Sequence, residues 1–136
     1  MNNKNSGFTL IELVIVLAIV AIIGAILIPN FINTTDRARL RSDVQSARIL
    51  QNALELYNVE QPNPITSGNA AQIIERLDSL GYVDTRRVVE QTTGANFSVE
   101  NGRIVLNISG ASDSVRALYS MLSEQERRYV SGGTSN

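Results

Sequence analysis

The hydrophobic positions of this 136-residue chain follow two patterns that divide it near residue 35. From Phe8 to Ile28, 18 of 21 residues are apolar, and the run has no polar face. A helix of this length rises about 1.5 Å per residue and spans roughly 30 Å, the thickness of a bilayer core. Because it is apolar on all sides, it does not suit the surface of a globular domain. The pattern predicts a hydrophobic, membrane-spanning helix over residues 8–35.

An amphipathic pattern follows the apolar run. Apolar residues recur at spacings of 4, 3, 3, 4 and 3, which place them on one stripe of a helix. The stripe consists of Leu40, Val44, Ala47, Leu50, Leu54 and Tyr57. It predicts an amphipathic helix over residues 36–60, roughly continuous with the membrane helix. Such a stripe must be covered, and the C-terminal part of the chain is the available cover.

Residues 61–130 predict a small globular head. The prolines of residues 61–64 end the long helix, since proline cannot continue it. Asn69 is placed to cap a short helix over residues 69–80, with Gln72 as its N3 partner and Gly81 as the stop. The inward face of this helix is expected to comprise Ile73, Ile74, Leu77 and Leu80.

A β-hairpin is predicted over residues 97–108, since Asn101-Gly102 is a preferred two-residue turn. This turn pairs Glu100 with Arg103, Val99 with Ile104 and Phe97 with Leu106, so the apolar pairs share one face. That face is expected to lie on the amphipathic stripe. Residues 82–89 are a further candidate strand.

The last segment predicts a C-terminal helix over residues 112–128, capped by Ser112, and then a flexible tail over residues 131–136. Its inward side chains are expected to be Val115, Leu118, Tyr119 and Leu122. The predicted fold class is α+β. A long N-terminal helix has a protruding hydrophobic half and an amphipathic half packed on a small antiparallel sheet, with an extra C-terminal helix.

Charge follows the same division of the chain. There are 12 Lys and Arg residues and 13 Asp and Glu residues, for a formal net charge of −1. Only Lys4 and Glu12 fall within residues 1–35, and the other 23 charged residues follow. A near-neutral balance gives no overall attraction to nucleic acid or anionic lipid. The net charge of the whole chain therefore describes neither of its two parts.

No catalytic constellation is present in the sequence. The absence of cysteine and histidine excludes disulfides, thiolate metal sites, Cys nucleophiles and Ser–His or Cys–His pairs. Acids such as Asp78, Asp84 and Glu90 are spaced singly, unlike the closely placed oxygens of a calcium loop. Neither an enzymatic activity nor a metal or cofactor is expected.

Three arginines, Arg37, Arg39 and Arg41, lie just beyond the apolar run. They could attract lipid head groups, an acidic neighbouring subunit or nucleic acid. The favoured interpretation is a solvated face paired with Asp36 and Asp43. Basic residues without interleaved aromatics are weak evidence for DNA binding, so direct binding of nucleic acid is not expected.

The N-terminus does not fit a plain anchor or a secretory signal. Its polar segment ends in a small residue, Gly7, before the apolar run, whereas a secretory signal has its cleavage site after that run. Cleavage after Gly7 would leave the membrane helix at the new N-terminus. Glu12, inside the run, costs several kcal/mol unless it protonates or finds a partner. It either snorkels to the interface or meets the new α-amine of Phe8 on a neighbouring subunit.

Pro29 lies at the end of the apolar run. It cannot donate a hydrogen bond to the carbonyl of Ala25, and Gly24 further weakens the helix there. Two interpretations stay open. One is a simple kink at the membrane exit, and the other is a stretch that unwinds and lengthens under load.

The segment from Gly7 to Glu12, followed by an apolar run and Pro29, resembles the N-terminus of type IV pilins and type II secretion pseudopilins. The resemblance covers residues 4–31, with weaker similarity to Tyr57. It implies a leader over residues 1–7 that a prepilin peptidase removes between Gly7 and Phe8, with methylation of the Phe8 amine. Glu12 would neutralise the Phe8 amine of an adjacent subunit.

The resemblance also implies a life cycle. The subunit would wait as a single-pass precursor in the cytoplasmic membrane until an assembly ATPase and a membrane platform protein extract it into a helical homopolymer. The helix around Gly24 and Pro29 would partly melt in the filament, although Ala21 stands where many pilins have glycine. Glu12 favours a major or core subunit.

The expected function is that of a structural subunit of a type IV pilus, either extracellular or periplasmic. The alternative within the family is a major pseudopilin of a type II secretion or competence system. A more remote alternative is a membrane-anchored binding module that does not polymerise.

Overall fold

The computed structural model describes residues 8–133, except for the side chains of residues 28–33. Its first helix, α1, runs over Leu10–Glu60. The chain divides into two compact units with the boundary between Thr34 and Thr35. The predicted leader, including Gly7, lies outside the described residues.

The first unit is helical from Leu10 onward. Its large apolar side chains between Leu10 and Leu27 are 49–81% exposed. This segment is long and apolar enough to cross a membrane. The backbone is helical at both Gly24 and Pro29.

The second unit is the head, built around the C-terminal part of α1. The six residues of the predicted amphipathic stripe are each at most 2% exposed, which confirms that this side of the helix is covered. The cover comes from the hairpin, the short helix that follows the long one and the C-terminal helices, which share one hydrophobic core with the stripe.

Helix α2 runs over Ala70–Ser79 and is capped as predicted at Asn69, whose Oδ1 accepts hydrogen bonds from the N–H groups of Ala71 and Gln72. Gly81 ends it in the left-handed region, with φ +82°. Ile73 and Leu77 are buried, but Leu80 is 52% exposed, so its predicted inward position is wrong. Leu80 is the C-cap residue, where the chain already leaves the helix.

Residues 82–89 do not form the strand that the sequence suggested. A short 3₁₀ turn occupies Thr85–Arg87 instead. Asp84 accepts a hydrogen bond from the Arg86 N–H at 3.1 Å, and Asp78 accepts one from the Thr85 N–H at 3.2 Å. These local side-chain acceptors offer the backbone an alternative to strand pairing.

The hairpin consists of β1 (Asn96–Glu100) and β2 (Arg103–Asn107). Its three predicted pairs, from Glu100 with Arg103 to Phe97 with Leu106, are confirmed. Both turn residues have positive φ, +52° at Asn101 and +75° at Gly102, as the two-residue turn requires.

A third strand, β3 (Val130–Ser131), pairs in parallel with β2. The sheet is therefore mixed, whereas the prediction was an antiparallel one. Residue 131 also belongs to a strand and not to a flexible tail. Residues 134–136 lie outside the described residues.

The predicted C-terminal helix over residues 112–128 is divided into shorter pieces. Helix α3 runs over Asp113–Ala117, a 3₁₀ turn over Leu118–Met121 and helix α4 over Glu124–Arg127. Leu122 between them is extended and buried, at 4% exposure. Ser123 then starts α4 with a full capping box to Glu126, so a second cap competes with continuation of the first helix.

Candidate processing and assembly site

The N-terminus of α1 is closed by a reciprocal pair of side chains. The Thr9 N–H and hydroxyl both donate to Oε2 of Glu12, each at 2.8 Å. In return, the Glu12 N–H donates to Oγ1 of Thr9 at 3.3 Å. This is a capping box, which satisfies N–H groups that the first turn of a helix leaves without partners. The spacing Thr-x-x-Glu is a sequence signal for this cap, although Thr9 was not among the predicted site residues.

Phe8 immediately precedes this cap and is 84% exposed. The structure thus places Phe8 and Glu12 at the same end of α1, and the contacts it shows for the Glu12 carboxylate go to Thr9. The carboxylate is held at the helix N-terminus, where the helix dipole favours negative charge.

Gly24 and Pro29 do not interrupt the helix in this subunit. A Cβ placed on Gly24 would meet no described atom within 4 Å, so no close neighbour explains a glycine there. The unwinding suggested for this stretch therefore concerns the filament and stays a prediction.

In the head, Asp43 connects α1 to the loop that contains Gln91 and Thr92. Its side chain is fully buried. Oδ1 accepts a hydrogen bond from the Gln91 N–H at 2.9 Å, and Oδ2 accepts one from the Thr92 N–H at 2.7 Å. The sequence interpretation that Asp43 pairs with the arginines of a solvated face is wrong. A carboxylate that accepts two buried N–H groups holds that loop on the helix.

Gln51 makes a second connection of the same kind. It is 4% exposed, and its Oε1 accepts a hydrogen bond from the Ile104 N–H at 2.7 Å. Its Nε2 donates to Oε1 of Glu55 at 2.7 Å, which orients the amide. The connection joins α1 to the hairpin strand β2. Neither Asp43 nor Gln51 was expected inside, because both are polar residues beside the apolar stripe.

The basic side of α1 faces the C-terminal helices. Arg41 lies 3.9 Å from the Glu126 carboxylate. Hydrogen bonds from the backbone N–H and hydroxyl of Ser123 lower the pKa of Glu126, and the charge of Arg41 lowers it further. Beside this pair is an open groove of about 470 Å³, whose lining includes Gln45, Arg48 and Arg128.

Within residues 8–133, no three histidines, cysteines or acids come together in a way that could hold a metal ion.

Comparisons with known proteins match the same N-terminal segment of the chain. The family model described as the prokaryotic N-terminal methylation motif matches residues 2–28. No solved structure matches the chain significantly.

Curated relatives extend the similarity beyond the motif. Prepilin peptidase-dependent protein A of Clostridium perfringens is 34% identical over 117 residues, which are 76% of this chain and 84% of that protein. The type IV wide pilus major component PilA4 of Thermus thermophilus is 44% identical over 82 residues, 58% of this chain and 56% of that protein. Type II secretion system core protein G of Escherichia coli is 27% identical over 74 residues, 54% of this chain and 51% of that protein. The chain thus spans about half the length of the latter two proteins. Its similarity to the first protein covers most of both chains, and it shows that this chain belongs to the family of type IV pilins and type II secretion pseudopilins.

Proposed function

We propose that this chain is a structural subunit of a type IV pilus. A prepilin peptidase cleaves it between Gly7 and Phe8 and methylates the Phe8 amine, and the mature subunit is assembled from the cytoplasmic membrane into a helical fibre. The observation that carries the proposal is the exposed apolar helix from Leu10 to Leu27, which begins two residues after Phe8 and contains one carboxylate. The resulting filament is extracellular or periplasmic.

The exposed side chains explain why such a subunit polymerises. Burying a large apolar side chain contributes about 1.5–3 kcal/mol relative to exposure in water. The membrane covers these side chains first, and the helices of neighbouring subunits cover them in the filament. Since both environments are apolar, transfer between them needs external work, which an assembly ATPase acting through a membrane platform protein supplies. The stretch from Gly24 to Pro29 unwinds during this transfer. Proline removes a helical hydrogen bond there, and glycine has a low helix propensity.

Glu12 sets the axial position of each new subunit. Its carboxylate is costly in an apolar filament core, and so is the ammonium of a mature Phe8. The two costs offset each other only where the ammonium of one subunit meets the carboxylate of its neighbour. Thr9 supports this arrangement, because its two hydrogen bonds hold Oε2 at the helix end.

The test separates the charge of Glu12 from its capping role. Glu12→Gln removes the charge but retains an N3 side chain that can complete a capping box, whereas Glu12→Ala removes both. We expect both variants to lose filaments from sheared surface fractions, as counted by electron microscopy, while the mature subunit still accumulates in the membrane. Normal filament yield from Glu12→Gln would show that the charge does not set the register.

Processing is tested independently by mass spectrometry of the mature chain. The expected N-terminus is N-methyl-Phe8. An intact Met1 in assembled material would contradict cleavage between Gly7 and Phe8.

The second candidate is a major pseudopilin of a type II secretion or competence system, which the similarity to core protein G supports. The higher identity to a wide pilus component favours the pilus. Long fibres on the cell surface are expected for a pilus, and short periplasmic ones for a pseudopilus. A membrane-anchored module that does not polymerise would yield no filaments of this chain.

A further inference from the structure

The turn between the C-terminal helices presents an exposed apolar side chain where α1 enters the head. Met121 ends the 3₁₀ turn over Leu118–Met121, and it is 60% exposed. It lines one small cavity, of about 10 Å³, together with Leu118, Leu122, Arg37, Leu40 and Arg41. Leu40 is the first residue of the buried stripe. The turn therefore packs against the end of the stripe that is nearest in sequence to the apolar run.

Two arginines of α1 lie on one side of Met121. Arg37 and Arg41 are four residues apart, so they share a face of the helix, and both are exposed. Among the residues that the structure describes, no ion pair involves Arg37 or Asp36, so the pairing that the sequence favoured there is not formed. Arg41 lies 3.9 Å from the Glu126 carboxylate, and 56% of its side chain is exposed. Both guanidinium groups are therefore accessible to a partner outside the head.

A third arginine lies on the other side of Met121 and holds the turn. Arg127 donates from Nε to the Leu122 carbonyl oxygen at 3.0 Å and from Nη2 to the Ser120 carbonyl oxygen at 3.4 Å. Its guanidinium also lies 5.8 Å from the centre of the Tyr119 ring. These partners are neutral, so Arg127 retains its positive charge beside Met121. We refer to Arg37, Arg41, Met121 and Arg127 as the basal patch.

The position of the basal patch in the chain brings it close to a membrane surface. Arg37 follows Ile32, the last apolar residue before the head, by five residues. Five residues of helix rise about 7.5 Å, and the polar layer on each side of a bilayer core is about 5–7 Å thick. An arginine has a long, flexible stem with its charge at the tip, which suits it to reach that layer.

We propose that the basal patch binds the anionic lipid head groups of the cytoplasmic membrane while the subunit waits there as a single-pass precursor. The arginines contact lipid phosphates, and Met121 enters the apolar side of the same interface. The inference rests on the part of the proposed function that places the apolar helix in a membrane, and it does not require a filament. It adds a second attachment, which orients the head until the subunit is extracted.

The combination of groups favours lipid over the other partners that arginines attract. A nucleic acid backbone or an acidic protein surface would neutralise the guanidinium groups but would leave Met121 without an apolar partner. A membrane surface supplies both negative charge and apolar volume within a few ångströms, and basic residues beside exposed apolar ones are typical of interfacial binding. The covalent link to the apolar helix also keeps the patch next to lipid throughout the precursor stage.

The test uses tryptophan, which the chain lacks. Full-length Met121→Trp is reconstituted in phosphatidylcholine vesicles with or without about 30% phosphatidylglycerol, and a nitroxide on some head groups quenches tryptophan at the membrane surface. We expect at least about twofold stronger quenching in the anionic vesicles. Val59→Trp is the matched control, because Val59 is an 83% exposed apolar residue of the same helix. It lies 22 residues beyond Arg37, about 33 Å along the axis, and should stay unquenched.

The contribution of charge is tested in the Met121→Trp chain. Adding Arg37→Gln with Arg41→Gln should lower the quenching in anionic vesicles to the level of neutral ones. About 1 M salt should do the same, because it reduces the screening length to about 3 Å. Arg86→Gln with Arg87→Gln is the matched control, an equal charge change at side chains that are 90% and 84% exposed. It should leave the quenching unchanged.

Each failure has a distinct meaning. If Met121→Trp is quenched no more than Val59→Trp, the contact with lipid is wrong, and this is the result expected if an acidic protein is the partner. Equal quenching in neutral and anionic vesicles would overturn the recognition of lipid charge. If the unmodified chain does not float with vesicles, the membrane-anchored subunit of the proposed function fails instead. Met121→Cys carrying an environment-sensitive dye repeats the measurement with a smaller substitution, since the chain has no native cysteine.

Discussion

Replacing Asp43 should destabilise the head more than replacing any exposed acid. Its carboxylate is fully buried and accepts hydrogen bonds from the N–H groups of Gln91 and Thr92, at 2.9 and 2.7 Å. In Asp43→Ala both N–H groups lose their acceptor. Each buried donor left without a partner costs about 1–3 kcal/mol, so the expected loss in free energy of unfolding is about 2–6 kcal/mol.

Asp43→Asn separates the two bonds. The amide keeps one carbonyl oxygen and can accept from one N–H group, while its NH₂ group faces the other donor. The expected loss is about 1–3 kcal/mol, between wild type and Asp43→Ala. Since small domains are stable by only about 5–15 kcal/mol, the loss expected for Asp43→Ala is a large share of the stability of the head.

Urea unfolding of the full chain in detergent measures these losses. Tyrosine fluorescence reports on the head alone, because the chain has no tryptophan and its four tyrosines all lie between residues 57 and 129. Asp113→Asn is the matched control, since that side chain is 92% exposed and pairs only locally with Arg116. The control should change stability by less than about 0.5 kcal/mol. A loss below that same limit in Asp43→Ala would refute the reasoning.

Three further predictions use the same unfolding assay. Gln51→Leu should cost about 1–3 kcal/mol because a buried N–H of β2 loses its acceptor. Gly94→Ala should be strongly destabilising, since a Cβ there would overlap the carbonyl oxygen of Gly110 and φ is +80°. The lowered pKa of Glu126 means that its stabilisation is present above its ordinary pKa of 4.5 and is lost as pH falls through the lower folded value. Ser123→Ala should therefore destabilise at neutral pH, and the difference from wild type should shrink as the pH falls below 4.5.

Local features of this chain were predictable because they depend on neighbouring residues. The Asn101-Gly102 turn determines the register of its hairpin through backbone geometry alone, and the structure confirms that register. The cap at Asn69 and the stop at Gly81 likewise follow from local hydrogen bonding and positive φ. The buried stripe of α1 followed from its 3.6-residue period, which needs no knowledge of what covers it.

The errors concern groups whose environment comes from distant parts of the chain. Leu122 becomes extended because its side chain is buried in the core while Ser123 starts a new helix. Strand β3 is only two residues long, and it pairs with a strand more than twenty residues earlier in the chain, so no local pattern announces it. The cap at Thr9 is an exception among these errors. Its spacing from Glu12 is a local pattern that the sequence contains, so this cap was predictable.

By itself, the sequence determined that an apolar helix with a single carboxylate follows Gly7 and Phe8, because these are properties of consecutive residues. Tertiary structure alone decided that Asp43 and Gln51 are buried. A polar side chain beside an apolar stripe stays in water unless distant N–H groups replace that water. In this head the N–H groups of Gln91, Thr92 and Ile104 replace that water. They reach Asp43 and Gln51 only after the chain has folded back onto α1.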